Sequence, residues 1–334
     1  TALSENCVNI ENLKKALPKK ILLIHGDKDY TVPVEATLQF HQVLLDLKIE
    51  GIRLCQYPGM NHEDPVVVTK FAPSPLPDAS TTIAYEDTGE EAKPAILLVP
   101  GLGDARQSYR FIAPKLHRDG RYRIIVMDLR GAGESSVGFS SYTPEDVAGD
   151  MIAVLNHARV VKPAVLVGHS LSAASANIVA VKHPDRVQGI VILNGLVRDL
   201  PADKYFRPIC GPLFSSFWGA SVWIMYWKSL FTDQSKKPAD LEEYATSLKE
   251  MLQEKGKLAV MVAFIKATKE PAWKLVPEVQ APVLLIYGDK DPDFSDAAAE
   301  PMLLEESYKK SSKIEAFIIE GLGHYPVSDK NIVK

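Results

Sequence analysis

An α/β fold, with a mostly parallel sheet, helices on both faces and an inserted helical cap, is predicted by three features of the sequence. Short apolar, β-branched runs alternate with helix-length segments from about residue 82 onward. Such alternation implies parallel strands joined by helical crossovers. The stretch 197–279 interrupts that rhythm with an aromatic-rich, then charged, segment. Small-residue turns that carry serine, aspartate and histidine stand immediately after strand-like runs.

The strands are read first. Ala95–Val99, Arg123–Met127, Ala164–Val167, Gly189–Leu193, Val283–Tyr287 and Ile314–Ile319 are short continuous apolar runs, as buried strands are. Pro144–Ala158 and Ser172–His183 have helical spacing. Right-handed crossovers then fix the connections. The interruption holds Trp218, Trp223, Trp227 and Trp273 and becomes helical and charged over Ala239–Lys257. It reads as a helical cap between two strands. Trp218, Trp223 and Trp227 are candidates to line an apolar substrate pocket beneath it; packing within the cap's own core is the alternative for each.

Bulk properties narrow the function. Of the 334 residues, 46% are apolar and 24% charged, and the net charge is −4. No basic run or stripe points to nucleic acid. The longest apolar stretches, Pro94–Pro100 and Ala281–Tyr287, are too short to span a bilayer. The three cysteines, Cys7, Cys55 and Cys210, give neither a disulfide framework nor metal-ligand spacing. A reducing, cytoplasmic location is expected, since the opening TALSENC has no basic-then-apolar leader. With no glycine-rich phosphate loop and no metal-ligand set, no metal and no cofactor are expected.

A partial repeat divides the chain. ILLIHGDKD (Ile21–Asp29) recurs as VLLIYGDKD (Val283–Asp291), at an offset of 262. Gly59 and His62 recur as Gly321 and His324 at the same offset. Residues 1–70 thus look like the closing portion of a second copy, and FAPSPLPDAS (Phe71–Ser80) reads as a linker. Residues 81–196 and 280–334 form the core around the cap. The first segment is too small for a good independent core. It could pack on the main domain or self-associate by adding strands to a sheet edge.

The chemistry sits in three turns. The strand Ala164–Val167 runs into Gly168-His169-Ser170-Leu171-Ser172 and then a helix. Small residues two before and two after the serine suit a strained turn that projects a nucleophile. The strand Ala95–Val99 ends in Pro100-Gly101-Leu102-Gly103, whose backbone N–H groups can face the same point. The N–H groups of Leu102 and Leu171 could form an oxyanion hole, with Gly101 and His169 beside the substrate. Val283–Tyr287 leads into Gly288-Asp289-Lys290-Asp291-Pro292, and Ile314–Ile319 into Gly321-Leu322-Gly323-His324. Serine needs a base, and the base needs an acid to fix its tautomer. Ser170, His324 and Asp291 fill those roles. Asp289 and Asp293 are rivals, and Asp291 is preferred because it matches Asp29 in the repeat.

VPGLGD (99–104), MDLRGAGES (127–135), VGHSLS (167–172), YGDKDPDF (287–294) and EGLGHYP (320–326) occur in one order. By these motifs, residues 79–334 resemble the α/β-hydrolase superfamily, in its Ser-His-Asp esterase-like branch. The resemblance implies an acyl-enzyme mechanism on Ser170 and a structural, noncatalytic role for Arg130 in the D-x-R-G-x-G-x-S loop. Three departures stand out. The usual His-Gly is Pro100-Gly101, only Tyr325–Lys334 follow the histidine, and a segment resembling the end of a carboxylesterase-like hydrolase precedes the domain. In that segment Asp29 and His62 match the acid and base positions, so His62 is a rival to His324 for serving Ser170.

Hydrolysis of a carboxylic ester with an apolar group is the leading expectation. An amidase or aminopeptidase, a lactonase or a carbon–carbon bond hydrolase would use the same triad. A different class is a noncatalytic binding protein that holds a small molecule under the cap.

Overall fold

A computed structural model describes residues 21–26, 52–57, 69–74, 81–214 and 218–326. The chain divides into two compact units, Thr1–Val66 and Val67–Lys334. In the first, β1 (Ile21–Gly26) and β2 (Ile52–Tyr57) pair in parallel, with Ile21 opposite Ile52. Asp29 and His62 lie outside the described residues.

The second unit is built on an eight-stranded sheet. Its strands are β3 (Lys70–Pro73), β4 (Thr82–Asp87), β5 (Ala95–Val99), β6 (Arg123–Met127), β7 (Ala164–His169), β8 (Val187–Leu193), β9 (Val283–Gly288) and β10 (Ile314–Ile319). Their spatial order is β10-β9-β8-β7-β5-β6-β4-β3. The strands from β5 to β10 run parallel; at one edge β4 pairs antiparallel with β6, and β3 in turn pairs antiparallel with β4. The order reverses between β5 and β7, and ligand sites in such sheets lie at the carboxyl ends of strands near that point.

Helices α1 (Ile112–Arg118), α2 (Pro144–His157) and α3 (Ser172–Lys182) follow β5, β6 and β7. The start of α2 is specified locally. Thr143 and Asp146 form a capping box, and Pro144 takes the first turn, where no N–H is needed. Helix α3 is buried along most of its length, and its small residues Ala173, Ala174, Ser175 and Ala176 let it lie close against the sheet.

The sequence placed a linker at 71–80, but Phe71–Pro73 belong to an edge strand paired with Thr82–Ala84. Only Ala72 of that strand is fully buried, so the strand carries almost no apolar alternation, and its proline suits an edge position. The described part of the expected linker is therefore mostly sheet. The compact-unit boundary falls at Val66/Val67 rather than after residue 70.

The insertion between β8 and β9 supplies α4 (Asp203–Phe214), α5 (Gly219–Ser229), α6 (Leu241–Gln253), α7 (Lys257–Lys266) and α8 (Glu270–Leu275). The first four share a core of their own around Phe214, Trp223, Trp227, Tyr244 and Leu248. Ala272, Val276 and Val279 instead pack into the core of the sheet, so the cap proper ends before α8. Helix α9 (Glu300–Ser307) lies between β9 and β10. Among the described residues no helix is long and apolar enough to cross a membrane.

The loop after β6 is held by buried charge. Arg130 is fully buried, donates to both carboxylate oxygens of Asp150 at 2.7 and 2.8 Å, and reaches the Ser141 and Asp146 carbonyls. Asp128 accepts from the Arg106 backbone at 2.7 Å and from the Glu134 backbone at 2.9 Å. Committed to these partners, Arg130 supports the fold and is not free for chemistry. Replacing it leaves Asp150 buried without its partner, a change that costs about 3–5 kcal/mol. Arg130→Met is expected to lower the urea unfolding midpoint of the main unit by a corresponding amount; an unchanged midpoint would refute this reading of the loop.

Candidate active site

The serine turn is strained. Ser170 has φ 54°, a left-handed conformation that costs a residue with a side chain about 1–3 kcal/mol. Backbone bonds hold it: Ser170 N–H donates to Leu193 C=O at 3.0 Å, and Ser170 C=O accepts from Leu196 N–H at 2.9 Å. Gly168 is needed because a Cβ there would meet the Ser172 carbonyl oxygen at 2.6 Å and Ala173 Cα at 2.8 Å. The unusual Ser172 has a use of its own, since its hydroxyl donates to Pro100 C=O at 2.5 Å. That bond ties the serine turn to the glycine loop after β5.

The two turns meet at Gly101, where an added Cβ would lie 2.9 Å from Ser170 Cβ and 3.0 Å from His169 Nδ1. The Leu102 and Leu171 backbone N–H groups enter no hydrogen bond within the described residues. Both belong to loops that border Ser170, as an oxyanion hole requires.

His324 is buried, and its Nδ1 lies 2.7 Å from Asp291 Oδ2. Asp291 is braced by the Asn194 side-chain amide at 2.6 Å and by the Asp293 backbone N–H at 3.0 Å. Burial works to raise the Asp291 carboxyl, but the charge and hydrogen bond of His324 outweigh it, and the group is held below its ordinary range. For His324, burial disfavours the cation, yet Asp291 and then Asp293 push its pKa up to about 9.

Asn194 was not anticipated from sequence. It occupies a left-handed position at φ 40°, which Asn tolerates better than most residues. Its carbonyl oxygen accepts from Gly288 N–H at 3.1 Å while its amide holds Asp291. The signal available was an Asn-Gly pair just past a strand. Asp104 was also missed. It is fully buried beside the glycine loop, accepts from Ala105 N–H at 2.8 Å and from the Tyr244 hydroxyl of the cap, and burial raises its carboxyl.

The residues expected to bind substrate separate into different places. His169 is buried, and its Nε2–H donates to the His324 carbonyl at 2.8 Å. Burial and then the neighbouring His324 lower its pKa to about 3, so the ring is neutral and committed to tying the serine turn to the histidine loop. Trp227 is fully buried and donates from Nε1 to the Tyr325 hydroxyl at 2.7 Å, which makes it core rather than pocket wall. Trp218 stands at the start of α5 and is 48% exposed. Trp223 alone of the three lies on the glycine loop, with its indole directly over Gly103. Asp291, Asp293 and His324 also present donor atoms within 4.8 Å of one another, a set that could take a metal ion. The hydrogen bond between His324 and Asp291 already accounts for their proximity.

Comparison with known proteins follows the same lines. The alpha/beta hydrolase fold family matches residues 94–324, and the prolyl oligopeptidase family matches residues 4–71. A probable esterase of Oryza sativa subsp. japonica is 33% identical over 122 residues; the match spans 35% of this chain and 44% of that protein, less than half its length. A pimeloyl-acyl-carrier-protein methyl ester esterase of Neisseria meningitidis serogroup C is 24% identical over 71% of this chain and 88% of its own. Among solved structures, a thermophilic esterase of Thermogutta terrifontis superposes with a TM-score of 0.63 at 23% identity, covering 79% of this chain and 93% of that one, which shows a shared fold.

Two outcomes follow from this geometry. A base must be neutral to take a proton, so kcat/KM for a hydrolysed substrate should rise with pH and level off only near pH 9; a plateau already reached below pH 7 would contradict the environment given to His324. Gly101→Ala should lower kcat/KM at least about tenfold, because a displacement of the glycine loop of about 1 Å is enough to misalign the reacting groups. Activity equal to the parent would show that this contact does not set the loop's position.

Proposed function

We propose, from the premise that this chain belongs to the alpha/beta hydrolase fold family, that Ser170, His324 and Asp291 are its catalytic triad. The chain is a hydrolase of carboxylic esters. The observation that carries the triad assignment is the strained Ser170 turn tied through His169 to the loop of His324, whose Nδ1 lies 2.7 Å from Asp291.

In this mechanism His324 Nε2 takes the Ser170 proton as Oγ attacks the ester carbonyl. The carbonyl oxygen gains charge and is stabilised by the Leu102 and Leu171 N–H groups. Collapse of the tetrahedral intermediate breaks the bond to the alcohol, which leaves with the proton from His324. Water, deprotonated by the same imidazole, then releases the acid and frees Ser170. Asp291 keeps the imidazole in one tautomer and offsets its charge.

The space lined by Leu102, Gly103, Met251, Val260, Met261 and Phe264, with Arg130 and Lys257 also on its wall, measures about 10 Å³, near the room of one water. An acyl or alcohol group of any size would need α6 and α7 to give way there. Trp223, over Gly103 of the glycine loop, is the cap residue proposed to meet it. Self-association through residues 1–70 and a cytoplasmic location are also part of this reading.

The test is hydrolysis of a p-nitrophenyl ester series by the intact chain and by Ser170→Ala. Turnover is expected in the parent, with kcat/KM at least about a thousandfold lower in the variant. Full activity in Ser170→Ala would overturn the nucleophile.

A further inference from the structure

Asp291 is not the only acid on the Nδ1 side of His324. Asp293 Oδ2 lies 3.5 Å from the same nitrogen, against 2.7 Å for Asp291 Oδ2. The two carboxylates are braced in one turn, since the Asp293 backbone N–H donates to Asp291 Oδ1 at 3.0 Å. The other oxygen of Asp293 is held from the cap, by the hydroxyl of Tyr226 on α5. One turn before Tyr226, Trp223 covers Gly103, and the two rings pack at 5.4 Å. The same face of α5 therefore touches the glycine loop and the acid loop.

We propose that Asp293 is a positioning residue, a second carboxylate that supports the imidazolium of His324 during catalysis, and that the cap residue Tyr226 holds it in place. The inference rests on His324 being the base. One carboxylate is enough to fix a histidine tautomer; a second adds negative charge where positive charge develops as Ser170 is deprotonated. Because its hydrogen-bond donor belongs to the cap, the full charge is in place only when α5 is seated. Base strength and cap closure are thereby linked through a single side chain.

The groups around His324 act in different directions. Burial, first, disfavours its cation; Asp291, Asp293 and, from the glycine loop, Asp104 favour it. His169, from the serine turn, is neutral and adds no opposing charge. Tyr325 packs edge-on to the imidazole at 5.6 Å. The Asp293 carboxyl is raised above its ordinary range: burial favours the neutral acid most, His324 favours the anion, Asp291 opposes it, the Tyr226 hydrogen bond favours it and Asp203 opposes it, so its charge depends on keeping His324 and Tyr226 as partners. Loss of the Tyr226 hydroxyl should therefore leave Asp293 less often charged, in the same direction as removing its charge outright.

The test uses the full chain, as parent, Asp293→Asn and Tyr226→Phe. The His324 imidazole is titrated by NMR in histidine-labelled protein, assigned by its absence in His324→Gln, and the pH profile of kcat/KM for a p-nitrophenyl ester is recorded beside it. The expected result is a midpoint lowered by at least about one pH unit in Asp293→Asn, and by less, in the same direction, in Tyr226→Phe. The acid limb of kcat/KM should move with it. An Asp293→Asn imidazole that titrates with the parent, or a rate that falls equally at every pH, would overturn the proposal. The titration needs no turnover, so a chain that hydrolyses none of these esters would count against the ester reading alone.

Discussion

Ser170 is held at φ 54°, and the surrounding structure is organised to keep it there. A side chain in that conformation stores strain that a flexible turn would release. Here the release is blocked from several sides. The turn's backbone is bonded to Leu193 and Leu196, Ser172 grips Pro100, His169 grips the His324 carbonyl, and Gly101, where a side chain would not fit, lets the glycine loop come close against the turn. Each of these contacts also fixes a second loop of the site. The constraint that holds Ser170 in this conformation is thus also the one that ties the glycine loop and the His324 loop to the serine turn.

Above this level the cap is bonded to each loop in turn. Tyr244 reaches Asp104 beside the glycine loop, Trp227 reaches Tyr325 beside His324, and Tyr226 reaches Asp293 beside Asp291. These three donors come from two helices, α5 and α6, whose apolar faces form the cap's own core. The cap is therefore more than a cover, because any displacement of α5 or α6 changes hydrogen bonds at the site. Water exclusion under a closed cap also strengthens the charge interactions between His324 and its two aspartates.

Much of this was legible in the sequence because the relevant signals are local. The strands Ala95–Val99, Arg123–Met127 and Ile314–Ile319 have the predicted bounds, since a continuous apolar run flanked by turn residues fixes both ends. The edge strand Lys70–Pro73 escaped notice because only Ala72 is fully buried and the prolines in and after it imitate a linker. At the site, the sequence proposes Ser170, Asp291 and His324 because each follows a strand, and the structure brings His324 and Asp291 into contact. Asn194 and Tyr226 could not, because their roles come from partners 97 and 67 positions away. The tryptophans show the same limit. Composition puts them in the cap, but only packing distinguishes Trp223 over Gly103 from Trp227 in the cap core and Trp218 at the surface.

The repeat leaves two histidines in equivalent sequence positions, His62 and His324, each 33 residues after an aspartate of a GDKD motif. The base is assigned to His324, within the same unit as Ser170. The most direct measurement is mass-spectrometric mapping of a fluorophosphonate label on the parent chain, His324→Ala and His62→Ala. A label on Ser170 is predicted in the parent, lost in His324→Ala and kept in His62→Ala. Labelling that survives in His324→Ala and disappears in His62→Ala would contradict the assignment.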